Sequence, residues 1–234
     1  MPYPTNNYPS NIQPDTRPES LKAALARLTF FIHNFEHSYK ELGEIRGAYR
    51  GSRLRFMKPK IRHEFKEAKK DIRHFNDALR DVIENSGDMT FNELMDFLAT
   101  AYTTAHGESP NSFINHARDT LIGARNEVAF EQILTTAGIK FDKGTDQDDA
   151  RGGDVLIEDV RIDTKTSWLK TERTKASARA RGYNPDRIIW SHINQEDYDG
   201  KLTLPLYKLR ELAKKVQPDV ERAVASVHPG RKIA

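Results

Sequence analysis

The chain has 234 residues, with 37 lysines and arginines against 34 aspartates and glutamates, a formal net charge of +3, and no cysteine. That length suits one medium domain with an appendage or two smaller lobes, and the absence of cysteine excludes disulfides, cysteine-ligated zinc and thiol catalysis while leaving oxygen and histidine ligands. No apolar run is long enough to span a bilayer and the start lacks the charged-then-apolar pattern of a secretory leader, so a soluble, cytoplasmic protein with no membrane partner is expected.

Residues 1–20 contain Pro2, Pro4, Pro9, Pro14 and Pro18, which disfavour any continuous helix or strand and predict an extended arm. From there Leu21, Leu25, Leu28, Ile32, Phe35, Tyr39 and Leu42 recur at alternating steps of four and three, the seam of an amphipathic helix. Ile61, Phe65, Ala68, Ile72, Phe75, Leu79 and Val82 repeat the spacing. Two such seams pack most simply as an antiparallel helical hairpin, the framework of an all-helical N-terminal lobe over 21–110.

The connection, a basic loop over 43–60, carries Arg46, Arg50, Arg53, Arg55, Lys58 and Lys60, and no acidic residue falls between Arg46 and Arg62. At 1.5 Å per residue the loop would sit at the tip of an arm roughly 30 Å long, placed to touch phosphates. Within the first helix, His33-Asn-Phe-Glu36-His37 fits the His-x-x-Glu-His spacing of inverted zinc peptidases. The seam runs through the same segment and no third ligand accompanies it, so structural packing or a surface role is expected.

Thr90 and Glu93 form a capping-box pattern before Phe91, Leu94, Phe97 and Leu98. Ser109-Pro110 marks the next helix start, and Phe113, Ala117, Leu121, Ala124 and Val128 lead to a stop at Gly138. This helix carries Glu127.

Beyond Gly152-Gly153, two apolar segments meet at Glu158-Asp159, the pattern of a tight β-hairpin with Asp154 opening its first strand and Asp163 near the end of its second. The hairpin would bring the two carboxylates together, and strand alternation would put Asp163 and Lys165 on one face. A second basic stretch follows, with Lys170, Arg173, Lys175, Arg179 and Arg181 expected on a helix that grips a substrate backbone. Residues 187–193 read as a buried strand, with His192 a sheet residue, and Leu204–Val216 and Pro218–Val227 as two closing helices.

Asp154 followed by Asp163-Thr164-Lys165 resembles the signature of the PD-(D/E)XK nuclease superfamily, over roughly Leu121 to Leu206. The chain has Gly153 where that signature has proline, while the carboxylate is kept. The resemblance implies an α/β, restriction-endonuclease-like core over 111–234, with a mixed central sheet flanked by helices. It implies Mg²⁺, with Mn²⁺ as a substitute, held by Asp154, Asp163, the Thr164 carbonyl and Glu127, the last directly or through water. Lys165 would orient or activate the attacking water. The implied partner is DNA, double-stranded favoured, cut by a restriction-type or phage or mobile-element endonuclease, and a homodimer would let two sites cut both strands.

An Asp and a Lys two apart on a strand also form ordinary surface ion pairs, and the weight rests on the ordered set of residues. Three other readings stand beside the DNA nuclease: an RNA- or junction-directed nuclease, a non-catalytic nucleic-acid-binding protein, and a protein-binding helical scaffold. The scaffold predicts no salt-sensitive nucleic-acid affinity.

Overall fold

A computed structural model describes residues 17–49, 56–107, 111–143, 154–157, 160–165, 188–190 and 193–227, with 111, 163–165, 188–190 and 227 given by backbone alone. The proline-rich segment 1–16 lies outside the described residues.

Helix α1 (Glu19–Tyr49) buries Leu21, Leu25, Leu28, Ile32, Phe35 and Leu42. Tyr39, at the seam spacing, is 41% exposed but stacks on Phe35 with ring centroids 5.8 Å apart. Helix α2 (Pro59–Glu84) starts with proline, whose missing N–H costs nothing in the first turn, and buries Ala68, Phe75, Leu79 and Val82. The two run antiparallel: Arg27 pairs with Asp81, the Phe35 and Phe75 rings lie 4.3 Å apart, and the Ser38 hydroxyl donates to Asp71 (2.8 Å).

Helix α3 (Phe91–His106) opens on the expected capping box, in which Thr90 Oγ1 accepts from the Glu93 amide (3.2 Å) and the Thr90 amide donates to Glu93 Oε2 (2.7 Å). Helix α4 (Asn111–Thr136) ends where Gly138 takes φ 74°, and the Ile139 amide reaches back to the Leu134 carbonyl (2.9 Å). Glycine adopts that left-handed turn without the steric penalty of a Cβ.

The apolar residues form two cores, and α4 contributes to both. Phe113, Ala117, Leu121 and Val128 join α1, α2 and α3, whereas Ala129, Phe130, Ile133 and Leu134 join the strands and the last helix. Strands β1 (Asp142–Lys143), β2 (Val155–Ile157), β3 (Val160–Lys165) and β4 (Ile188–Trp190) lie side by side in that order. The first three are antiparallel, and β4 runs parallel to the end of β3.

The α/β expectation, a restriction-endonuclease-like mixed central sheet flanked by helices, is overturned. The described residues are mostly helical, in five helices, and the sheet is small, a three-stranded antiparallel set with strands of two, three and six residues and a three-residue strand beside it. Most of the buried apolar surface is carried on helices. Strands this short offer too little pleated face to form a central layer covered on both sides.

A second correction concerns the C-terminal end. Instead of two helices separated at Pro218, one helix α5 (Leu206–Val227) runs through it. Pro218 removes one backbone donor, but Leu212, Ala213, Val216, Val220, Ala223 and Val224 are buried in a seam that continues across it. Burial of six apolar side chains outweighs one missing hydrogen bond. Replacing the exposed Pro218 by alanine should therefore raise stability by about 1–3 kcal/mol in urea unfolding. A neutral effect would mean that proline sits at a helix start, where it is tolerated.

Candidate functional site

Strands β2 and β3 form the expected hairpin, closing at Ile157 opposite Val160 and continuing to Val155 opposite Ile162. Val155, Ile157, Val160 and Ile162 are buried in the second core, the alternation that a half-buried hairpin requires. Half-buried Asp154 stands at the open end, and its amide donates to the Ile162 carbonyl (2.7 Å), the residue that Val155 already faces. That bond holds Asp154 against β3 one residue past the last paired position of β2.

Asp163 is the next residue of β3, so the backbone brings the two aspartates to the same end of the hairpin. Asp163, Thr164 and Lys165 lie where β3 exchanges partners, since β2 pairs with 160–162 and β4 with 163–165.

Glu127 projects from α4 into a network of charges. Its Oε2 lies 3.7 Å from Arg80 Nη1 of α2, and the same guanidinium pairs with Glu131 and with Glu84 (3.0 Å). Lys143 of β1 reaches Glu84 (3.2 Å) and Glu131 (3.5 Å). Burial works to lower the Arg80 pKa, but the Glu131 and Glu84 carboxylates reverse the effect and hold it above its ordinary value. Because Lys143 faces Val155 across the β1–β2 pairing, the network ends one residue from Asp154. Glu84, Glu131, Gln132, Phe141, Lys143 and Leu209 line a cleft of about 430 Å³ beside it.

Sequence reasoning missed Glu131, Arg80 and Lys143. The available signal was the step of four from Glu127 to Glu131, which puts both carboxylates on one face of a helix.

It also missed the two residues before Glu127. Arg125 is 3% exposed and Asn126 2%. The Arg125 guanidinium lies over the Tyr198 ring (3.8 Å) and the Phe91 ring (4.9 Å), donates to the Lys201 carbonyl (2.9 Å), and bonds to Gln195 Oε1. The Tyr198 hydroxyl donates to Asn126 Oδ1 (2.6 Å) and lies 3.2 Å from the Arg125 carbonyl. Burial pushes the Arg125 pKa down and the Tyr198 phenol up. These contacts fix α4 to the segment 195–202 and thereby set the rotation of the helix that presents Glu127.

The histidines of the zinc-like motif, His33 and His37, are exposed and make contacts within the helical lobe. His106 contacts the Ile32 carbonyl (3.0 Å) and Glu36 (3.3 Å), His33 stacks on His106 (5.6 Å), and His37 pairs with Glu41 (2.7 Å). Among the described residues, which do not include the Asp163 side chain, no group of three or more His, Cys, Asp or Glu is placed to hold a metal ion.

Of the basic residues expected to hold nucleic acid, Arg46 is exposed in the last turn of α1, exposed Lys58 precedes α2, and Lys60 lies 3.9 Å from Glu64. Arg50, Arg53, Arg55, Lys170, Arg173, Lys175, Arg179 and Arg181 lie outside the described residues, as does His192. No described helix is long and apolar enough to cross a membrane. Compared with protein-family models, curated proteins and solved structures, the chain matches none.

Arg125→Ala should lower stability by about 3 kcal/mol or more in urea unfolding, since it removes charge-assisted hydrogen bonds and stacking on two rings. Arg125→Lys should rescue little, because an ammonium lacks the planar fork that fits between the rings.

Proposed function

We propose that the chain is a metal-dependent nuclease acting on DNA, double-stranded DNA favoured, with Asp154, Asp163 and Lys165 at its centre. The observation that carries this reading is the open end of the β2–β3 hairpin, where the Asp154 amide donates to Ile162 and Asp163 is the next residue along. The support is local to that site, namely its ordered residues and the hairpin register, and it does not rest on the overall fold.

Asp154, Asp163 and the Thr164 carbonyl offer only oxygen donors, a set that fits a hard divalent cation such as Mg²⁺, with Mn²⁺ as a substitute. When bound, such an ion supplies charge stabilisation for the phosphodiester undergoing attack and lowers the pKa of a coordinated water. The protein's own residues supply position. Lys165, two residues past Asp163, would orient the attacking water and set a fixed positive charge beside the phosphate. Glu127 would accept a hydrogen bond from a water at the edge of the site, held by Arg80 and by the buried Arg125 contacts behind it.

Plasmid, single-stranded DNA and RNA incubated with Mg²⁺, Mn²⁺ or EDTA should give metal-dependent cutting, greatest on duplex DNA, that Asp163→Ala abolishes. Lys165→Ala should abolish cutting while leaving DNA affinity within about twofold, the pattern of a group that acts in the transition state alone. Unchanged cleavage by Lys165→Ala would refute the assignment of the site. Cutting of RNA in preference to DNA would redirect the substrate, and salt-sensitive binding without cutting would favour the non-catalytic binder.

A further inference from the structure

Helix α2 presents more than the charges its loop contributes. Taken at helical steps of four and three, Arg62, Lys66, Lys69 and Arg73 fall on one line along its outer side, with Lys70 next to that line. Lys66, Lys69 and Lys70 are exposed, and among the described residues no carboxylate stands within salt-bridge distance of them. Arg62 and Arg73 are half-buried, and Arg62 donates to the Met57 carbonyl (3.3 Å).

The three carboxylates of the same stretch follow a separate line. Glu64, Glu67 and Asp71 also recur at steps of three and four, but Asp71 turns toward α1, where the Ser38 hydroxyl donates to it (2.8 Å). A helix face that served solubility alone would mix its signs. Glu64 and Glu67 are exposed on the neighbouring line, whereas the basic line itself meets no carboxylate until Asp77. Continued at the same steps, the basic line passes Asn76 and reaches Arg80, whose guanidinium touches Glu127 (3.7 Å).

We infer that the outer face of α2 is a binding surface for the sugar-phosphate backbone of a nucleic acid duplex, leading it toward the Glu127 end of the molecule. This deepens the nuclease reading by naming the surface that holds the substrate, and it rests on that reading for the choice of nucleic acid as the polyanion. From Arg62 to Arg73 the line covers roughly 16 Å, the length over which one strand of B-DNA passes about five phosphates at 3.4 Å of axis each. Lysines suit such a surface, because they neutralise phosphates without selecting bases.

The test is binding of the full chain to a fluorescent 30-base-pair duplex in EDTA, where hydrolysis cannot interfere, followed by anisotropy across a range of KCl concentrations. The parent is compared with Lys66→Gln/Lys69→Gln/Lys70→Gln and with a control of equal charge change on α5, Arg210→Gln/Lys214→Gln/Lys215→Gln, after circular dichroism has verified that all three are folded. The α2 variant should bind at least tenfold more weakly at low salt. Its slope of log affinity against log salt should be shallower by about 2.7, which is three phosphate contacts at about 0.9 each, while the control keeps the parent slope. Equal changes in both variants, or an unchanged slope in the α2 variant, would overturn the inference, as would a parent that binds no duplex. Cleavage assays separate the two readings. Cutting that depends on Asp163 with an unchanged α2 slope would sink the surface alone, whereas a reduced slope without any cutting would support the surface and count against the nuclease.

Discussion

The position of α4 depends on one buried cation. A guanidinium cannot shed its proton, so Arg125 must be stabilised as a charge where water is excluded. Two aromatic faces, a backbone carbonyl and an amide oxygen do this, and they come from α3 and from the segment 195–202, which are distant in sequence. The same segment enters the first core through Leu202 and bridges Thr90 through Lys201. The helical part of the molecule and the strand-bearing part are thereby joined at α4, the element that contributes to both cores. Any group that α4 presents, Glu127 and Glu131 included, takes its direction from that joint.

Around this joint the charges are ordered. Glu84, Glu127 and Glu131 are bridged by Arg80 and Lys143, so that α2, α4 and β1 converge on one alternating network. Glu131 is nearly buried, and Arg80 and Lys143 both pair with it there. Through the pairing of Lys143 with Val155 the network abuts the open end of the hairpin.

Local features were legible in the sequence where local physics decides them. The four-and-three seams of α1 and α2 marked Leu28, Ile32, Phe75 and Leu79 as core residues; the Thr90 to Glu93 pattern gave the start of α3; Gly138 gave the end of α4; and the apolar pair of segments gave the hairpin register. A resemblance in a few residues does not extend to a whole architecture. A motif fixes side-chain types at one strand end, but a central sheet needs long strands, and those of the described residues span two to six positions. The same contest decided α5, where a proline predicts a break from backbone chemistry and the seam on either side overrides it.

The sequence by itself determined the elements and the chemistry available to them: which helices have an apolar side, where one of them starts and another stops, and which oxygen and nitrogen groups the hairpin end can offer. Those follow from interactions between neighbours a few residues apart. Only the tertiary structure decided that Arg125 would be a buried joint and that Arg80 and Lys143 would gather three glutamates. Each of these joins residues tens of positions apart, and no periodicity in a chain records which of its distant charges will share a low-dielectric space.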